Sequence, residues 1–200
     1  DRLDVGTVIV GWIEARAVVR AEWVNEGQTY VALLQEIDTG DENMPRERLA
    51  GRGYQVETHG QKSFNGVAIL SKLPLEDVTR GLPGDEADEQ ARWIEATVMG
   101  KQAIRVCGLY LPNGNPTPGP KYDYKLDWMR RLKIRAEALM AAEEPALMAG
   151  DYNIIPQPED AAKPEAWAQD ALFLPQSRAP FRDILNLGFT EAFRSLHPAP

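Results

Sequence analysis

Six short apolar runs rich in β-branched and aromatic residues recur along the chain, at 5–10, 30–34, 66–70, 93–98, 103–111 and 146–149. Runs of this length suit strands better than buried helices, and stretches with helical spacing or turn residues lie between them, so a mixed α/β fold is predicted. Helical periodicity is clearest over 122–142, where Leu126, Met129, Leu132 and Leu139 fall at helix-like spacings. The basic segment 121–135 is predicted to pack on a sheet with Leu126, Met129 and Leu132 inward and its charges in solvent. A second helix is predicted over 13–26, ended by Gly27. The segment PNGNPTPGP (112–120) holds too much Pro and Gly for a regular element and reads as a loop. With no internal repeat and no break in composition, residues 1–200 read as a single domain.

A chain of 200 residues with 44% hydrophobic side chains can bury a substantial core. No stretch approaches the roughly 18 consecutive apolar residues of a membrane span, and the first residues lack the order of a signal peptide. A cytoplasmic protein, acting as a monomer away from membranes, is expected. Cys107 is the only cysteine, which leaves no disulfide framework within the chain. The net charge of −8 argues mildly against a nucleic-acid partner. That argument weakens because Lys121, Lys125, Arg130, Arg131, Lys133 and Arg135 gather in one basic segment. Carboxylates that hold hard cations also make a site acidic until the metal arrives.

Three of the apolar runs end in polar groups suited to metal and phosphate chemistry, and strand ends are where α/β folds commonly place their sites. One ends in Gln35 and Glu36. A second ends in Gly150, Asp151, Tyr152 and Asn153, and a third in Tyr110 with Asn113 just beyond it. In an extended chain, positions two apart face the same side, so Asp151 and Asn153 are expected to point together while Tyr152 turns away. Gly150 would admit the close approach of another backbone or of a substrate. A phosphodiester resists water because the nucleophile meets an anion and the leaving alkoxide is poor. Charge neutralisation and a held water are what catalysis requires.

The strings LLQEID (33–38), HGQKSFNGVAILSK (59–72), GLYLPNGNP (108–116), AGDYNIIP (149–156) and LGFTEAFRSLHP (187–198) resemble, in order and spacing, successive signatures of the exonuclease III family of DNA-repair nucleases. The resemblance implies a four-layer α/β/β/α sandwich of the endonuclease/exonuclease/phosphatase type, binding Mg²⁺ or Mn²⁺. It also implies cleavage of double-stranded DNA beside abasic sites and digestion from 3′ ends. Carried over by position, Glu36, Asp151 and Asn153 would serve the metal, and Asp151 would orient or deprotonate the attacking water. Asn153 would contact the phosphate, Tyr110 would lie at the scissile phosphate, and Asn113 would be nearby. Gln61, Lys62 and Asn65 would form a loop beside the DNA, with Lys62 suited to a backbone phosphate. His59 and His197 are expected to be non-catalytic.

Two departures accompany the match. Family members open with a strand whose Trp-Asn pair reaches the metal site, where this chain has Val8 and Ile9, and Ile9 cannot ligate a metal. The family also continues beyond the motif at 187–198 through further strands, so the fold is expected to lack its last strands. Two other readings stay open: a superfamily phosphodiesterase or phosphatase acting on another substrate, such as a phospholipid head group, and an inactive DNA-binding remnant.

Overall fold

The computed structural model describes residues 8–12, 30–62 and 64–197, with backbone alone for 8–12. The helix predicted over 13–26 and the side chain of Ile9 lie outside the described residues. The chain gathers into two compact units, residues 1–110 with 144–152, and residues 111–143 with 153–200.

The first unit holds eight strands among its described residues: β1 (Val8–Trp12), β2 (Val31–Gln35), β3 (Gln55–His59), β4 (Val67–Ser71), β5 (Leu75–Arg80), β6 (Trp93–Met99), β7 (Ala103–Tyr110) and β8 (Ala146–Asp151). They form two four-stranded sheets, ordered β1-β2-β4-β3 and β5-β6-β7-β8. Every residue of β2 and β4 is buried, as central strands covered on both faces require. The two-residue alternation then divides their side chains. Val31, Leu33, Val67 and Ile69 meet Ile94, Ala96, Val98 and Val106 in one core shared by both sheets. Ala32, Leu34, Ala68 and Leu70 pack on the opposite face with Tyr54, Val56 and Leu49, the last from the short helix α1 (Arg46–Ala50). Each fully buried Val, Leu or Ile contributes about 1.5–3 kcal/mol.

All six predicted runs overlap strands, and β8 extends past its apolar run to include Asp151. Two strands were not predicted. β3 and β5 lie at sheet edges and carry Gln55, Glu57, Glu76, Asp77 and Arg80, charged and polar side chains that protect an edge and hide its strand character in sequence.

The second unit is built on α2 (Pro120–Ala141) and α3 (Pro175–Asn186), followed by the short α4 (Ala192–Leu196). Pro120 opens α2 where a helix tolerates a missing N–H. The two longer helices meet through the Tyr122 hydroxyl and Ser177 Oγ at 3.0 Å and through Lys133 and Asp183 at 3.5 Å. Met129 and Leu132 are buried as predicted, joined by Tyr122, Trp128, Ala136 and Leu139, whereas Leu126 is only half-buried. The expectation that the helix keeps its charges in solvent fails at Lys125 and Arg131, both buried. Long basic side chains cover apolar surface with their stems when the head group finds partners. Asp127 Oδ2 lies 3.4 Å from Arg131 Nε, and the Lys125 head group is taken up below. Among the described residues, no helix is long and apolar enough to cross a membrane.

Candidate active site

β2 delivers its last residue, Gln35, to a turn in which Glu36 and Asp38 adopt φ of 52° and 47°. The turn is held by the loop after β3: Ile37 N–H donates to Gly66 O at 3.4 Å and Asp38 N–H to Asn65 O at 3.3 Å. That loop is organised by Gln61, whose Oε1 accepts from Ala91 N–H at 2.9 Å and from Asn65 Nδ2 at 3.1 Å. Gln61 and Asn65 are therefore engaged within the loop, Asn65 being buried with φ of 65°, while the Lys62 side chain is exposed.

In the other sheet, β7 and β8 run parallel, with Tyr110 level with Asp151. The Tyr110 hydroxyl donates to Glu36 Oε1, so the last residue of one strand holds the residue that follows another in the opposite sheet. Arg92 steadies the phenol from behind. Its guanidinium lies 4.9 Å from the ring centroid, its Nη1 donates to Tyr110 O at 3.2 Å, and its own carbonyl accepts from Tyr110 N–H at 2.9 Å. Burial raises the Tyr110 phenol above its ordinary pKa, and the hydrogen bond to Glu36 and the Glu36 and Asp151 charges push it further; Arg92 opposes them. The phenol is thus a proton donor at neutral pH, with carboxylates of both sheets acting on it.

Gly150 explains how Asp151 reaches this level. Its φ is +152°, and a Cβ there would lie 1.9 Å from Leu109 O, so the residue before Asp151 must be glycine for β8 to lie so close to β7. Tyr152, whose hydroxyl donates to Met148 O at 3.0 Å, has its phenol raised by burial and, less, by Cys107.

The second unit brings Asn113 and Asn153 together: Asn113 Nδ2 donates to Asn153 Oδ1 at 3.3 Å, and Asn153 Nδ2 to Leu111 O at 2.9 Å. The expectation that Asp151 and Asn153 share one face of an extended chain is corrected, because β8 stops at Asp151 and Asn153 is left-handed with φ of 44°. Neither histidine joins these groups. His59 Nδ1 lies 3.1 Å from Trp93 O, and the His197 ring packs on Phe193 at 4.9 Å.

Sequence reasoning missed Arg92 and Lys125. Arg92 carried the same signal as Glu36, a charged residue bordering an apolar run. Lys125 carried another, since it falls three residues after Tyr122 and four before Met129, on the helix stripe that is buried.

Two sheets sharing one core, with acidic residues at strand ends of each, define a two-sheet α/β protein. The model of the Endonuclease/Exonuclease/phosphatase family matches residues 21–199. An exodeoxyribonuclease III of Haemophilus influenzae is 32% identical over 183 residues, 88% of this chain and 68% of the relative. An exodeoxyribonuclease of Bacillus subtilis is 26% identical over 190 residues, 92% of this chain and 72% of its own length. Among solved structures, an AP endonuclease from Archaeoglobus fulgidus superposes with a TM-score of 0.88 at 32% identity, covering 98% of this chain and 74% of that one. A 3′-5′ exonuclease from Neisseria meningitidis gives 0.86 at 32% identity over 94% of this chain and 74% of its own. The chain belongs to the endonuclease/exonuclease/phosphatase family. Its relatives within that family are of the exonuclease III type, and the mixed α/β fold with two sheets and helices is the one this resemblance implied.

Proposed function

We propose that this chain is one nuclease domain that hydrolyses DNA phosphodiester bonds with Mg²⁺ or Mn²⁺, cutting duplex DNA beside abasic sites and from 3′ ends as a cytoplasmic monomer. The observation that carries the reading is the Tyr110 phenol, hydrogen-bonded to Glu36 and in register with Asp151. It gives strand-end carboxylates of both sheets one common neighbour.

The residues fit a hard divalent cation. Glu36 and Asp151 offer carboxylate oxygens, and Mg²⁺ characteristically takes one or two carboxylates and completes its shell with water and phosphate. Glu36 would hold the metal, with Asp151 and Asn153 as its further oxygen ligands. When bound, the ion neutralises charge on the phosphate and polarises its oxygen. Asp151 holds the attacking water and accepts its proton as the new P–O bond forms and the ester P–O bond breaks, the leaving alkoxide taking a proton from solvent. Tyr110, kept protonated by burial, has a single O–H, which would turn from Glu36 to a phosphate oxygen when the substrate binds. The Asn113 and Asn153 amides add neutral donors, and the exposed Lys62 takes a backbone phosphate along the duplex.

The test is a nicking assay on a duplex carrying one abasic site, with Mg²⁺, comparing the chain with Asp151→Ala. Cleavage reduced by about 10²- to 10⁴-fold in the variant is expected. Equal rates with and without the Asp151 carboxylate would remove it from the mechanism.

A further inference from the structure

We propose that Lys125 is a positioning residue that sets the Asn113 and Asn153 amides for phosphate contact, an inference resting on the nuclease reading above. Lys125 projects from α2 and is fully buried. Its ammonium donates to three backbone carbonyls, Pro112 O at 3.0 Å, Asn113 O at 3.2 Å and Asn153 O at 2.7 Å. Two of these belong to the residues whose amides are in question, and they come from chain segments 40 residues apart. One cation on a 22-residue helix therefore fixes both backbones.

The loop is shaped to fit it. Gly114 has φ of +91°, and a Cβ there would lie 2.6 Å from Lys125 Cδ, so the chain passes directly over the lysine stem. By contrast, the contact between the two amides is long, 3.3 Å, and joins neutral groups. Hydrogen bonds to a charged group are roughly twice as strong as those between neutral groups, so the lysine decides where the amides sit. Packing alone does not account for a lysine here. Position 125 lies on the buried stripe with Tyr122, Met129 and Leu132, where a methionine fills the space without the desolvation penalty of taking an ammonium out of water. What the ammonium adds is the three carbonyls. Displacing a substrate-contacting group by about 1 Å can cost about 100-fold in rate.

The experiment compares the chain with Lys125→Met, which keeps the stem and removes the charge. It follows abasic-site nicking with Mg²⁺ and, separately, the ¹⁵N–¹H resonances of the Asn113 and Asn153 side-chain amides without DNA or metal. The expected result is a kcat lowered about 10- to 100-fold, KM within about threefold, and both amide resonances displaced toward those of solvent-exposed asparagine. Unmoved amide resonances, or displaced resonances with an unchanged kcat, would overturn the proposal. Should Lys125→Met fail to fold, Lys125→Arg carries the same two outcomes, since a planar guanidinium fork does not meet three carbonyls converging on one point. If the unaltered chain does not nick DNA, the nuclease reading fails while the amide resonances still decide whether Lys125 positions them.

Discussion

The hydroxyl of Tyr110 donates to the Glu36 carboxylate, joining the end of β7 to the turn after β2. This bond makes the two residues chemically interdependent. Burial and, after it, Glu36 raise the Tyr110 phenol, and Tyr110 occupies one of the roughly four lone-pair sites through which Glu36 binds anything else.

Glu36→Gln preserves an acceptor for the phenol and removes the charge. The Mg²⁺ concentration for half-maximal cleavage should rise by about tenfold or more, because a carboxylate is the ligand a hard cation prefers. A titration of nicking rate against Mg²⁺ checks it, and an unchanged midpoint would take Glu36 out of metal binding.

Tyr110→Phe should lower kcat by about 10²-fold through loss of a donor to the phosphate. It should also change the alkaline limb of the stability curve. The folded phenol holds its proton more tightly than the unfolded one, so above the ordinary phenol value of about 10 the unfolded chain binds fewer protons and stability falls with rising pH. Below that value the contribution is fully present. Removing the phenol removes its part of the slope, so urea unfolding between about pH 10 and 11 should show a shallower pH dependence in the variant. Tyr152, raised in the same direction, leaves a residual slope in Tyr110→Phe.

Gly150→Ala forces a methyl group against Leu109 O. A loss of about 3 kcal/mol is expected, because neither backbone can withdraw without breaking the β7–β8 ladder. For a chain of this size that is a fall of about 6–12 °C in Tm by thermal denaturation.

Arg105 and Glu95 form a pair at 3.0 Å, with the Glu95 side chain 2% exposed and Cys107 Sγ donating to its other oxygen. Arg105→Ala strands a buried carboxylate and should cost about 3–5 kcal/mol, whereas replacing both partners by apolar residues of similar volume should restore most of it. Denaturant midpoints of the two variants decide between a needed pair and a needed charge.

Much of the fold was legible because the central strands β2 and β4 are apolar on both faces, and a run such as VALLQ or VAILS has few other uses. β3 and β5 were not, since an edge strand carries the polar residues of a loop. The candidate site divides in the same way. Glu36, Tyr110 and Asp151 stand where apolar runs stop, a property of the sequence itself. Asn153 was misjudged in geometry because nothing in the string marks the residue at which β8 ends and the backbone turns left-handed. Lys125 was assigned to solvent from its residue type, although its spacing already placed it on the buried stripe.

The first unit is discontinuous: β8 returns to it only after the chain has traversed residues 111–143. A ribosome adding about 5–20 residues per second therefore releases β2, β4 and β7 seconds before Asp151 exists to join them. During that interval β7 offers an open parallel edge ending at Tyr110, and closing it requires a long loop rather than a hairpin, the slow kind of contact in chain folding. Asp151 is thus among the last residues of its unit to be synthesised, and a chain interrupted before residue 146 carries the Tyr110–Glu36 partners without the carboxylate beside them.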